Sequence, residues 1–286
     1  MTLDYWFMFP ISILVATVAM ASGVEGATFF TPVFILALGL PPVIAIGTGL
    51  ITEVFGFASG VSAYARSRLI DYRLGVSFLK VTVPLALVGA WLAAYVPGTV
   101  LKTLFGLGLL AIAATFLRAP KAHEVDQLDE GIDKKYGGEH AETILRPRGG
   151  EEIRYKVCNR NEGRFFAGVG ALFIGMISTG QGELNGYFLL RRCRVPSRVA
   201  VATSVFVVAI TALVASTGHL VKFVQAGGDT LNTVMSLVIF TVPGVIIGGQ
   251  LGSLVSSKIS QRVLERGLAT LFILVALLML GGVLLR

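Results

Sequence analysis

Residues 20–32, Met-Ala-Ser-Gly-Val-Glu-Gly-Ala-Thr-Phe-Phe-Thr-Pro, open a stretch that runs on through Leu38-Gly-Leu-Pro-Pro-Val-Ile-Ala-Ile-Gly47-Thr-Gly-Leu-Ile-Thr-Glu53 to Gly60. Glycines, carboxylates and prolines interrupt sequence that is otherwise apolar. In a soluble chain such a stretch would be a loop. Here 54% of residues are hydrophobic and 14% charged, with a mean hydropathy of +0.78, values that belong to a polytopic helical membrane protein. Broken backbone at membrane depth is tolerated only where protein buries it or a watery cavity solvates it. The stretch therefore reads as the centre of a transport site.

Working outward, Phe7–Ala21 forms a first apolar segment. Ala19-Met20-Ala21 mimics a signal-cleavage site, but residues 1–5 carry Asp4 and no Lys or Arg, so the segment reads as membrane-embedded. Thr28–Leu40 is a second segment, about 20 Å long as helix and too short for a hydrocarbon core of about 30 Å. Pro41-Pro42 opens a longer helix to about Tyr64, and Leu74–Tyr95 and Leu101–Leu117 are further spans. The character changes between Arg118 and Arg164, a polar stretch with strand-like alternation at Glu152–Cys158, read mainly as a solvated linker. Apolar sequence resumes at Phe165–Ile177, breaks at Ser178–Glu183 and continues through Leu190. Pro196 opens a helix to about Ser216; after a segment His219–Asp229, two spans follow, Leu231–Val255 and a last one to Leu285. The expected domains are a membrane repeat 1–118, a polar cytoplasmic loop 119–163 and a membrane repeat 164–286.

The halves match in order. Met20-Ala-Ser22 pairs with Met176-Ile-Ser178 and Gly26 with Gly182. Leu40-Pro41 through Thr48-Gly49 pairs with Val195-Pro196 through Thr203-Ser204, and Val83-Pro84 pairs with Val242-Pro243. Basic residues cluster in 66–73, 191–198 and 257–266, whereas 39–42 and 96–101 are almost uncharged. By the positive-inside rule the basic loops are cytoplasmic, and the two halves then run in opposite directions. The expected fold is an all-α polytopic membrane protein of two inverted-topology repeats, each a broken, re-entrant hairpin followed by three transmembrane helices. Such folds hold substrate at the midplane between the repeats, so the two glycine breaks should meet.

Past each break a helix begins, and helix N-termini favour an anion. Gly23, Gly26, Gly180 and Gly182 allow close backbone approach. Ser22, Thr28, Ser178, Thr179, Gln181 and Asn185 add neutral hydrogen-bonding groups, and Thr48, Thr203 and Ser204 lie about two turns into the paired helices. The implied ligand is a small oxyanion. Close packing is the competing role for these small residues, and Gly56-x-x-x-Gly60 reads as packing. Three carboxylates fall inside membrane segments, Glu25, Glu53 and Glu183. Such groups are costly and by default functional. An ionised carboxyl repels an anion, so Glu25 or Glu183 should be protonated when substrate is bound, coupling protons to transport; capping of a half-helix is the alternative. Pro84 and Pro243 read as kinks or hinges.

The run T-P-x-F-I-L-x-L-G-L-P-P-x-x-A-I-G-T-G-L from Thr31, with its echo V-P-S-R-V-A-V-A-T-S from Val195, resembles the sulfite exporter TauE/SafE family, also called the toluene-sulfonate uptake permeases. Where that family carries a glycine triplet at the first break this chain has Glu25, and its second break holds Gln181 and Glu183. The resemblance covers both membrane halves. It implies a transporter of small sulfur-containing anions, such as sulfite, sulfoacetate or sulfonates, in a prokaryotic inner membrane.

Other classes fare worse. The net charge of +7 sits in short loops between spans, which argues against nucleic acid. The spans hold no metal-ligand set or nucleophile–base pair, so neither enzyme activity nor a cofactor is expected, and His219 reads as interfacial. Cys158 and Cys193 imply neither a disulfide framework nor a zinc site. The alternative is a membrane scaffold recruiting a partner through 119–163.

Overall fold

The computed structural model describes residues 4–22, 24–117, 143–148, 150, 152–255 and 261–284. Helix α1, Met8–Ser22, leads into α2, Ala27–Pro32, which relaxes into a π-helical turn at Val33–Ala37. Gly39 then adopts a left-handed φ of 67°, and Pro41 starts α3, Pro42–Arg66. A proline suits the first helical turn because its missing N–H has no intrahelical partner there. Helices α4, Tyr72–Ala93, and α5, Gly98–Leu117, complete the first half.

The same succession returns. Helix α6, Arg160–Ile177, leads into α7, Gln181–Gly186, and a π-helical turn at Tyr187–Arg192. Arg194 takes the left-handed conformation that Gly39 takes in the first half, and Pro196 precedes α8, Ser197–Ala226. Helices α9, Gly228–Val255, and α10, Gln261–Leu284, follow. Six of these helices, α3, α4, α5, α8, α9 and α10, are long and apolar enough to cross a membrane. The chain is an all-α polytopic membrane protein, with one short hairpin of strands among the described residues.

Packing exchanges partners between the halves. Helix α1 lies against α9, α6 against α4, α3 against α8, and α5 against α10. Gly244, Gly248 and Gly252 on α9 face Phe9–Ser12, Ile13–Thr17 and Thr17–Ala21 in turn, so α1 and α9 run parallel. Gly168 meets Val81 and Leu85, while Gly175 meets Ala86 and Ala90, so α6 and α4 are parallel too. Helices α3 and α8 are antiparallel: Gly47 packs on His219 and Phe223, and Gly60 faces Val205 near the other end. Gly175, Gly244, Gly248 and Gly252 need to be glycine because a Cβ would meet neighbouring backbone, at Gly175 coming within 2.8 Å of the Ala90 nitrogen. Gly56, against Val245, and Gly60, against Met20, are packing positions as expected.

Four expectations need correction. Helix α8 does not stop near Ser216; apolar Leu220, Val221, Phe223 and Val224 carry it to Ala226. His219 is consequently inside the bundle, 1% exposed, its Nε2 2.9 Å from the Gly175 carbonyl, and is not interfacial. The polar stretch is not simply a solvated linker where it is described. Strands β1, Thr143–Leu145, and β2, Ile153–Tyr155, pair antiparallel. Tyr155, Val157 and Cys158 bury with Leu74, Phe78 and Phe188. Finally, Cys158 and Cys193 are joined in a disulfide, their Cα atoms 5.3 Å apart.

Candidate functional site

The two breaks meet. The Thr28 hydroxyl, at the start of α2, lies 2.7 Å from that of Thr179, and the Thr31 hydroxyl lies 2.7 Å from that of Ser178. Ser178 ends α6 in a left-handed conformation, φ 58°, and Gly180 follows with φ 110°. For serine that geometry is uncommon and is held here by its cross-half hydrogen bond. Thr28, Ser178, Thr179, Gln181 and Asn185 are each at most 1% exposed. These five residues are shut off from solvent in this conformation.

Both half-helix N-termini are covered by carboxyls of the protein itself. Gly182 N–H, in the first turn of α7, donates to Glu25 Oε1 at 2.5 Å, a bond that crosses from the first hairpin to the second. Glu183 folds back onto its own helix start and accepts from Gly180 N–H at 3.1 Å. Glu53, from α3, lies over the N–H groups of Gly26 and Ala27 at the start of α2, outside hydrogen-bond geometry. Glu25 is within electrostatic reach of both Glu183 and Glu53. Anionic groups suit these positions because unpaired N–H groups and the helix dipole point at them.

Much of the polar surface here has no protein partner. Glu25 Oε2, both oxygens of Glu53, Glu183 Oε1, Gln181 Oε1 and both polar atoms of Asn185 are buried and unpaired. Unpaired buried groups cost on the order of 1–3 kcal/mol each, which stability alone does not explain. Among the described residues no Lys or Arg is buried to balance the carboxylates. A narrow cleft lies between α1, α3 and α9, lined by Met20, Phe30, Phe57, Val245 and Glu53.

Other expected residues fall elsewhere. Thr48 hydrogen-bonds only within α3, to the Ile44 carbonyl at 2.7 Å. Thr203 accepts from the Asp71 N–H at 3.0 Å, near the start of α4, and Ser204 beside it is buried. Gly23 lies outside the described residues, and Ser22 is the last residue of α1. Sequence reasoning missed a layer of threonines. Gln181 Nε2 donates to Thr211, which donates to Thr82 at 2.9 Å, and Thr241 pairs with Thr52 at 2.8 Å. The signal was present: Thr82-Val-Pro84 recurs as Thr241-Val-Pro243, and each threonine bonds a helix of the opposite half.

The sulfite exporter TauE/SafE family profile matches residues 8–279. The chain belongs to that family. The probable membrane transporter protein YunE of Bacillus subtilis (strain 168) is 24% identical over 252 residues, covering 88% of this chain and 86% of that protein. The probable membrane transporter protein ORF9 of Sinorhizobium sp is 33% identical over 102 residues, 36% of this chain and 39% of its own length. No solved structure matches. Taken with the six spans, these relationships make the chain a multi-pass membrane transporter of the TauE/SafE type, with no relationship to an enzyme among them.

Proposed function

We propose that the protein is a secondary transporter, working as an exporter in a prokaryotic inner membrane, of small sulfur-containing anions such as sulfite, sulfoacetate or related organosulfonates. Protons are the coupling ion, and the two halves act as inverted repeats, 1–118 and 164–286, around the meeting of the hairpins. The observation that carries this reading is the bond from Gly182 N–H to Glu25. Glu25 there occupies a donor that an oxyanion would use, so carboxylate and substrate compete for one position.

The cycle follows from charge. With Glu25 ionised, Gly182 N–H is taken and a second anion is repelled. A proton arriving on Glu25 removes the charge and frees the N–H for a substrate oxygen, while the hydroxyls of Thr28 and Thr179 and the Asn185 amide supply further hydrogen bonds. Glu183 stays on Gly180 as the cap of α7, and Glu53 is the second candidate to carry a proton. Antiparallel α3 and α8, with α1–α9 and α4–α6 as exchanged pairs, support an inverted relation between the halves. Opposed halves of this kind allow the site to open alternately to either side. The inside-negative potential favours outward movement of net negative charge by about 2.3 kcal/mol per charge per 100 mV, which supports export of a dianion, whose second charge the Glu25 proton leaves uncompensated. With the basic loops cytoplasmic, the strands of the polar segment are cytoplasmic too.

The test is flux of labelled sulfite, sulfoacetate and taurine in proteoliposomes, with and without a pH gradient. Saturable flux that rises with an applied proton gradient is expected. Absence of saturable flux for every one of these anions would end the reading.

A further inference from the structure

The polar segment is tied to the membrane helices at three points. Arg148 N–H donates to the Ser67 carbonyl at 3.2 Å. The Tyr155 hydroxyl donates to Asp71 at 2.8 Å, and Asp71 in turn caps α4 through Leu74 N–H. Burial and the Asp71 carboxylate push the Tyr155 phenol well up, so it stays a donor at any ordinary pH. The third tie is covalent, Cys158 to Cys193.

The position of this third tie matters. Cys158 stands two residues before α6 begins, and Cys193 directly follows the π-helical turn that ends the second hairpin. The bond therefore joins the two feet of that hairpin, whose tips form the site. Arg192 and Glu162 pair at 2.8 Å beside it. These are the chain's two cysteines, so the first hairpin has no such link. Both are at most 3% exposed, under Val157, Phe188 and Leu189.

We propose that Cys158 and Cys193 are a reversible redox modification site, a latch whose oxidised form clamps the feet of the second hairpin and holds the transporter closed. The inference rests on the reading of the basic face as cytoplasmic, a compartment that keeps thiols reduced. In that setting the dithiol is the working form and the disulfide the arrested one. The oxidant is a low-molecular-mass disulfide, RSSR. One cysteine thiolate attacks it, forming a mixed disulfide and expelling RSH. The second thiol attacks the mixed disulfide, forming the Cys158–Cys193 bond and expelling a second RSH. Two electrons pass from the protein to RSSR, and a dithiol reductant reverses both steps. Because the sulfurs are buried, the first exchange proceeds only when the feet part, and the second step locks them as they close.

The test needs no substrate. The full chain in lipid nanodiscs is treated with oxidised glutathione or with dithiothreitol, its thiols are counted by intact mass, and backbone hydrogen exchange is followed. The expected result is gain and loss of two hydrogens in mass. Exchange over 178–193 in the oxidised protein should be slower on the order of a hundredfold, with 24–37 changing far less. Cys158→Ala and Cys193→Ala should each exchange like the reduced protein under both treatments, and either one suffices if the other fails to fold. In proteoliposomes oxidation should slow flux in the parent protein and leave Cys193→Ala unaffected. A pair that cannot be reduced, or equal exchange in the two states, overturns the latch, as does flux indifferent to oxidation. Failure of the sulfur-anion assignment would leave the mass and exchange results standing.

Discussion

The first hairpin, Met8–Ala37, and the second, Arg160–Arg192, share a plan of long arm, break, six-residue helix and π-helical turn, yet they carry different chemistry at both ends. At its tip the first sends Glu25 across to Gly182, while the second keeps Glu183 on its own Gly180 and ties Gln181 to Thr211. At the feet the second hairpin is closed by a disulfide and the Arg192–Glu162 pair. Glu53 lies beside the first break, where the matching position of the second half is Val208. The scaffold is therefore duplicated and the charges are not. On the proposed function, symmetry supplies two packed arms that exchange roles, and the asymmetric carboxylates put the proton chemistry at the first break.

Replacing Glu25 by Gln should break the comparison most severely. Glutamine keeps the size and an oxygen for Gly182 N–H but cannot gain or lose a proton. In the parent protein flux should be greatest at low pH and fall as pH rises, because loss of the proton restores the carboxylate to Gly182. In Glu25→Gln the profile should be flat, with stimulation by a pH gradient lost by on the order of tenfold or more. Glu183→Gln should keep its pH dependence, since that carboxyl caps its own helix. An unchanged profile in Glu25→Gln would move the coupling role to another group, Glu53 first.

A second pair of substitutions compares the arms. Gly248→Ala pushes a methyl onto α1 near Ala16 and Thr17, and Gly175→Ala pushes one onto α4 at Ala86 and Ala90. Each should cost about 1–3 kcal/mol through overpacking, read as a lowered melting temperature in detergent. The unlinked first arm can shift away, whereas the second is held at its feet. Gly175→Ala should therefore cost more than Gly248→Ala, and reduction should narrow the gap. Gly281→Ala, with open space around it, is the control.

The fold was legible where physics is local. Glycines and carboxylates inside apolar sequence mark broken helices, and Pro41 and Pro196 mark helix starts whatever surrounds them. The meeting of the breaks was legible because duplication and the charge of the loops constrain both tips to one depth. What failed depended on contacts far apart in sequence. The bond between Glu25 and Gly182 joins residues 157 apart, and nothing near Glu25 distinguishes it from a cap of its own helix. His219 was misplaced because the helix was expected to stop near Ser216; it runs on to Ala226, and the Lys222 ammonium reaches out over the Tyr95 ring, 5.7 Å from the centroid. The cysteines, 35 apart with no motif, gave no sign of pairing.

The smallest expected effect separates packing from chemistry in the threonine layer. Thr241 pairs with Thr52 alone, whereas Thr82 accepts from Thr211, which also receives Gln181 Nε2. Threonine-to-valine changes preserve shape and remove the hydroxyl, so a double-mutant cycle isolates each bond. The Thr52–Thr241 cycle should give about 0.6 kcal/mol, as is usual for hydrogen bonds between membrane helices, and leave flux unchanged. The Thr82–Thr211 cycle should give a similar coupling in stability. Thr211→Val, however, also leaves the Gln181 amide without its acceptor beside the break. Its flux should fall by about two- to fivefold, with a further loss of stability of about 1–3 kcal/mol from the unpaired amide. Equal flux in Thr211→Val and Thr52→Val would mean that the second break does not depend on its tether to α8, and that the two halves differ at the tips in charge alone.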